Sequence, residues 1–139
     1  MSDLKAFLRE NVKEVANVKY VASKRIIDKK NPVEWEIRCI TNDENDKLRD
    51  SCTKEVRGRK GIFRSSLNTT DYLAKMAVRC TVYPDLNDAA LQDSYGVKTP
   101  EALLKKILNI AEYQDYVDKI QEVNGFDLTF EDKVDEVKN

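Results

Sequence analysis

Apolar residues recur along this chain with two different periods, and the switch between them predicts where strands give way to helices. Leu4, Phe7 and Leu8 share one face of a short first helix, which Ser2 can cap and which ends near Asn11. That face is expected to dock on the domain's own core. From Val33 to Ile40 the period falls to two: Val33, Trp35, Ile37 and Cys39 point one way, and Glu34, Glu36 and Arg38 the other. The β-branched stretch Val18–Ile27 precedes it. The polar DKKNP between them fits a hairpin loop, with Pro32 at a strand entrance, where its missing N–H does least harm. Trp35 then lies on the buried face as a core residue.

The helical period returns at Thr41 and Glu44, whose spacing is that of a capping box opening a helix from Asn42 to about Thr53, with Leu48 and Cys52 inward. A second helix, capped by Thr69 or Thr70, carries Leu73, Met76, Ala77 and Cys80 on one face, with Met76 and Cys80 filling gaps in the core. The stretch Cys80–Val97 reads as the end of that helix, a turn bounded by Pro84, a short helix from about Asp88 capped by Asn87, and a stop at Gly96. Thr99-Pro100-Glu101 combines a cap, a proline at the first helical position and an acid in the first turn; Leu103, Leu104, Ile107 and Leu108 form the stripe that follows. Tyr113, Tyr116, Val117 and Ile120 carry the last stripe, closed by Asn124-Gly125 with Phe126 folding back on the final turn. The pattern predicts an α+β chain in which an N-terminal helix and β-hairpin pack against a mostly helical C-terminal part. Residues 1–126 form one domain in this reading. Residues 127–139 form an acidic, flexible tail with only Phe130, Val134 and Val137 as spaced apolar positions.

Composition narrows the chemistry. The chain has no histidine, which removes the commonest general base near neutral pH and the commonest metal ligand. Cys39, Cys52 and Cys80 are odd in number and scattered, with no CxxC pair, so they read as reduced, mostly buried thiols rather than a disulfide framework or zinc site. No catalytic, cofactor-binding or metal-binding residues are expected, and the chain is not read as an enzyme. No apolar run has the length of a membrane span and no signal-peptide core follows Met1, so no membrane partner is expected. Charge is unevenly spread. Residues 1–66 hold 16 basic and 11 acidic residues, and residues 67–139 hold 8 and 14, an asymmetry that can steer a charged partner or align copies of the chain.

Two groups of residues are candidates for contact with a partner. Tyr83, Tyr95, Tyr113 and Tyr116 are amphipathic aromatics on or beside the C-terminal helices, suited to anchoring a partner or to core packing. Between Lys54 and Arg64 stand five basic residues and one acid, including Arg57, Arg59, Lys60 and Arg64. A basic loop can grip phosphates. This one has a single aromatic, Phe63, and no stacking platform, so a solvated hairpin or loop is the expected form and no nucleic-acid partner is expected.

Several segments together resemble the XkdN-like tail assembly chaperones of contractile-tailed phages and prophages. They are VKYVASKRI at 18–26, EWEIRCI at 34–40, SCTKEV at 51–56, DYLAKMAVRCTVYPDLNDAALQDSYGV at 71–97, EALLKKIL at 101–108 and KIQEVNGFD at 119–127. The long segment 71–97 is the most specific. The resemblance runs from about residue 4 to 127, leaving the loop 57–68 and the acidic tail outside it. It implies a non-catalytic assembly factor of the host bacterial cytoplasm. Such a factor binds the tape measure protein, keeps it soluble, helps recruit tail tube subunits and is absent from the mature particle; self-association is also open. Two other readings compete: a nucleic-acid-binding phage protein using the basic loop 54–64, and a structural tail completion protein retained in the particle.

Overall fold

Trp35 and Ile37 set the centre of the fold. They lie on a three-residue strand whose two inward side chains are fully buried, with Glu36 between them facing out. The computed structural model describes residues 4–126. In chain order its elements are β1 (Val18–Tyr20), β2 (Ile27–Asp28), β3 (Asn31–Pro32), β4 (Trp35–Ile37), α1 (Asn42–Ser51), β5 (Thr53–Arg57), β6 (Phe63–Leu67), α2 (Thr69–Cys80), β7 (Thr81–Tyr83), α3 (Ala89–Ser94), α4 (Pro100–Ile107) and α5 (Ile110–Val123). The architecture is α+β, with a small antiparallel sheet against a helical layer.

The sheet has the order β1-β4-β7, so Trp35 and Ile37 occupy its middle strand. Val18 pairs with Ile37 and Tyr20 with Trp35. The expected pairing of the two N-terminal strand segments is therefore present, but the first is short. After Tyr20 the chain leaves the sheet and makes a separate two-residue hairpin, β2–β3, before β4. The third strand went unforeseen. Thr81–Tyr83 was expected to finish a helix; instead it pairs with β4, and a cis peptide bond joins Tyr83 to Pro84. The β-branched and aromatic Thr-Val-Tyr run before a proline is a strand signal, masked in the sequence by the strong helical stripe that precedes it.

On the sheet's inner face α2 is the central helix, packing against α1, α4 and α5. Met76, Ala77 and Cys80 from α2, Leu103, Leu104 and Ile107 from α4, and Tyr116 and Ile120 from α5 meet Trp35 and Ile37 in one cluster. The predicted stripes supply most of this core. Tyr72, which was not among the predicted residues, is buried as well, and its hydroxyl bonds Asn45 of α1.

Helix ends follow the sequence closely. Thr41 and Glu44 form the full capping box of α1, and Thr99 caps α4 with Pro100 at the first position. Two caps fall one residue from the expected place: Asn68 rather than Thr69 or Thr70 caps α2, and Asp88 rather than Asn87 caps α3. Asn, Asp, Ser and Thr compete as caps when adjacent, and the geometry of the entering chain decides. Gly125 takes φ 84°, and the Phe126 N–H reaches the carbonyl of Gln121 at 2.9 Å, which is the predicted fold-back ending.

The N-terminal expectation needs correction. Leu4–Phe7 and Arg9–Asn11 are short 3-10 turns, not one helix, and Leu4 and Phe7 remain 71% and 77% exposed. No residue from 4 to 17 is buried, so this apolar face does not dock on the core. The proposed cap Ser2 and the acidic tail 127–139, with Phe130, Val134 and Val137, lie outside the described residues.

Candidate functional site

The four candidate tyrosines part company. Tyr83 ends β7 and is 55% exposed; Tyr95 follows α3 and is 41% exposed. Both line a single cleft of about 180 Å³. Its floor is the edge of Trp35 and the end of α4 at Ile107. Leu91 and Tyr95 reach it from one face of the α3 segment at i and i+4, and Pro84 completes that wall. Ile26 and Val33 also line it, held together by a 2.9 Å hydrogen bond from the Val33 N–H to the Ile26 carbonyl. Of the residues lining it, Tyr83 and Tyr95 are the sequence-predicted partner candidates. The pairing of Leu91 with Tyr95 was legible as helical spacing; Ile26 and Val33 were not, because the cleft joins them to α3 only through the third strand.

Tyr116 is the correction in this set. It is 0% exposed, its ring stands edge-on to Trp35 with centroids 5.0 Å apart, and its hydroxyl lies 2.6 Å from Thr81 Oγ1. Burial raises its pKa. It is a core residue and presents nothing to a partner. Tyr113 is half-buried on α5, away from the cleft, with the Lys105 ammonium 6.0 Å from its ring centre.

Beside the cleft the charge network is tight. Glu112 accepts from Arg25 Nη2 at 2.5 Å and from Ser23 Oγ at 2.6 Å, and closes a capping box with Asn109 at the start of α5. These bonds, that of Arg25 first, hold the Glu112 carboxyl down to about 2. A second carboxylate, Glu44, is also held down to about 2, by Arg38 first and then by the backbone of its own cap. Both networks are fixed by α-helix N-termini and by arginines from the sheet side. They join elements, and both carboxylates are taken up by arginine and cap groups.

The basic segment forms an antiparallel ribbon, β5–β6, with Val56 opposite Arg64 and Arg57 opposite Phe63. Only Leu67, at its base, is drawn toward the core. Arg57, Arg59, Lys60 and Arg64 are all exposed at its outer end, as are Val56, Ile62 and Phe63. The ribbon is the hairpin form expected for this segment. Among the described residues it pairs with no other strand. Among the described residues no group of three or more potential metal ligands is gathered, and no helix is long and apolar enough to cross a membrane.

Comparison with known proteins agrees with this picture. The family model for the phage XkdN-like tail assembly chaperone protein matches residues 4–138. The match therefore includes residues 57–68 and most of the acidic tail, both of which lie outside the resemblance carried by the sequence segments. The chain is 32% identical to the phage-like element PBSX protein XkdN of Bacillus subtilis strain 168, over 99% of this chain and 94% of that protein. It is 33% identical to protein YqbN of the same organism, over 99% and 93% of the two chains. The crystal structure of YqbN superposes with a TM-score of 0.76 at 29% identity, covering 91% of this chain and 99% of that one.

Proposed function

This chain belongs to the XkdN-like phage tail assembly chaperone family, and on that premise we propose that it binds the tape measure protein before the tail tube forms. It keeps that protein soluble, helps bring tube subunits to it, and leaves before the particle matures. The observation that carries this reading is the solvent-open apolar cleft between Tyr83 and Tyr95 in a chain of this family. A long protein built of amphipathic helices exposes apolar stripes that aggregate unless covered. A small domain can cover one such stripe by taking its side chains into a groove. No catalytic role is proposed.

Co-expression with the tape measure protein of the same phage tests it. The expected result is a higher soluble yield of the tape measure protein, co-purification of the two, and no trace of this chain in purified particles by mass spectrometry. Unchanged solubility with no complex at micromolar concentration would refute the chaperone reading. Retention at stoichiometric amount in the particle would favour a structural tail completion protein instead.

A further inference from the structure

The ribbon β5–β6 has a face that no described residue covers. In its register Lys54 stands opposite Ser66 and Val56 opposite Arg64, so these four share a face. Ile62, two positions before Arg64, falls on the same side. Glu55 lies on the other face with Arg57 and Phe63. The first face thus presents two cations around exposed Val56 and Ile62, and no acid. Ile62 and Arg64 line a hollow of about 330 Å³ with Gly58 and Arg59.

Residues 54–64 carry five cations against Glu55 alone, and among the described residues none of the five forms an ion pair. At the base of the ribbon stand Arg49, Asp50 and Asp71, which reduce that excess by one charge only. Phe126, the last described residue, lies at the other end of α1, where it lines a small cleft with Thr41, Asn42 and Asn45. The charges there give no such excess. Asp43, Asp46, Asp118 and Glu122 stand against Lys47 and Lys119, and Arg38 and Arg79 are already engaged by Glu44.

Residues 127–139 are the complement of the ribbon. They hold five acids against Lys133 and Lys138, with Leu128, Phe130, Val134 and Val137 as apolar positions. Along α1 to Lys54 the path is about 25 Å. Asp132, Asp135 and Glu136 stand six to ten residues beyond Phe126, a reach of roughly 20–35 Å.

We propose that residues 127–139 bind the Lys54–Val56–Ile62–Arg64 face of the ribbon on the same chain. Their carboxylates meet its cations and their apolar side chains meet Val56 and Ile62. Tethering supplies an effective concentration on the order of millimolar, so a contact too weak to join two molecules is populated within one. The ribbon is thereby occupied against other acidic ligands.

Carbodiimide cross-linking of the full chain, which joins lysines to carboxylates in contact, tests this with peptide mass spectrometry. The expected links connect Lys54 or Lys60 to carboxylates of 127–139 in monomeric chain. Their yield should fall several-fold between about 0.1 M and about 1 M salt, as the screening length drops from about 10 Å to about 3 Å. Amide NMR supplies the second readout. Glu131→Gln, Asp132→Asn, Asp135→Asn and Glu136→Gln together should move the Val56, Ile62 and Arg64 signals toward their high-salt positions. Lys54→Gln with Arg64→Gln, both at exposed positions, should move the signals of 127–139 in the same way. Ribbon signals indifferent to the charge of the tail would overturn the proposal, as would links from the tail to Lys98, Lys105 or Lys106 instead. Links found only in cross-linked dimers, and growing with concentration, would give the ribbon to the tail of a second copy and overturn the same-chain assignment.

Discussion

Arg25 and Glu112 are 87 positions apart in the chain and meet in a two-point contact, Nη2 to Oε1 at 2.5 Å and Nε to Oε2 at 3.3 Å. The same guanidinium donates to the carbonyl of Ile107 at 2.9 Å. The contact pins the segment after β1 to the junction of α4 and α5, directly behind the cleft.

It should be visible in acid. Glu112 and Glu44 both have folded-state pKa values near 2, lowered from 4.5 by hydrogen bonds to arginine and cap amides. A carboxyl lowered on folding stabilises the fold fully above its unfolded pKa and loses that contribution as pH falls through the folded one. Stability should therefore hold down to about pH 4.5 and fall between there and about pH 2. Glu112→Gln keeps an acceptor for the Asn109 amide but loses the charge facing Arg25. It should lower Tm at neutral pH by about 2–5 °C and flatten the acid slope. Arg25 is largely solvent-exposed, which keeps the effect modest. Thermal melts of both proteins from pH 7 to pH 2 check this; parallel slopes would show that Glu112 is not linked to acid unfolding.

The residues around this contact also show how far sequence reaches. Local signals were legible: the Thr41–Glu44 box, Thr99-Pro100, the Asn124-Gly125-Phe126 ending and the apolar stripes of α2, α4 and α5 are all present in the structure. Each depends on residues within one or two turns of one another. What escaped depends on partners far away in sequence. Thr81–Tyr83 becomes a strand because β4 offers it an open edge, and Arg38 extends that pairing with an N–H to the Cys80 carbonyl at 2.8 Å. Tyr116 has the same type and helical setting as Tyr113, yet it is the core tyrosine because Trp35, Tyr20 and Thr81 converge on it from the sheet. The exposed face of Leu4 and Phe7 is the reverse case, an apolar pattern that finds no surface among the described residues. One side of the cleft was similarly hidden, since Ile26 and Val33 join it only through the fold.

Tyr116 yields a second prediction. Thr81 Oγ1 gives its proton to the Ala77 carbonyl at 2.7 Å, so the buried Tyr116 hydroxyl donates to Thr81 at 2.6 Å. Tyr116→Phe removes that donor without leaving a new hole, and the Thr81 hydroxyl keeps its bond to Ala77. The expected cost is about 1 kcal/mol, a fall in Tm of about 3–5 °C. Tyr116→Ala opens a cavity beneath Trp35 and should cost about 3–5 kcal/mol. Denaturant melts with unchanged m-values measure both. A neutral Tyr116→Ala would contradict its place in the core.

Cys80 should be chemically silent in the folded chain. It is fully buried, its thiol is pushed up to about 11 by burial, and it accepts from Asn124 Nδ2 at 3.3 Å. Since the thiolate is the reactive form, alkylation at pH 8 should leave Cys80 unmodified in the native protein and label it fully in denaturant. Peptide mass spectrometry after brief iodoacetamide treatment distinguishes the two states. Rapid native labelling would mean that α2 and β7 separate readily at their junction.

The basic ribbon offers the sharpest contrast between two uses of one surface. Arg57, Arg59 and Lys60 stand in solvent at the outer end of β5–β6, where Lys60 itself has φ 62°. Exposed charges of this kind contribute little to stability, so replacing all three with Gln should shift Tm by no more than about 2 °C. A two-stranded ribbon can enter a major groove, and cations at its tip can touch phosphates. But Phe63 is the ribbon's only aromatic, and there is no second ring on it against which bases could stack. Phosphate contacts alone give weak binding that fades as salt rises. The expected outcome is no DNA or RNA affinity below about micromolar at physiological salt, and an intact complex between the triple variant and the tape measure protein. Fluorescence anisotropy with labelled duplex and single-stranded oligonucleotides, over a salt series, measures the first; co-purification measures the second. Sub-micromolar nucleic-acid binding that the triple change abolishes would move the ribbon to the centre of this protein's function and displace the cleft.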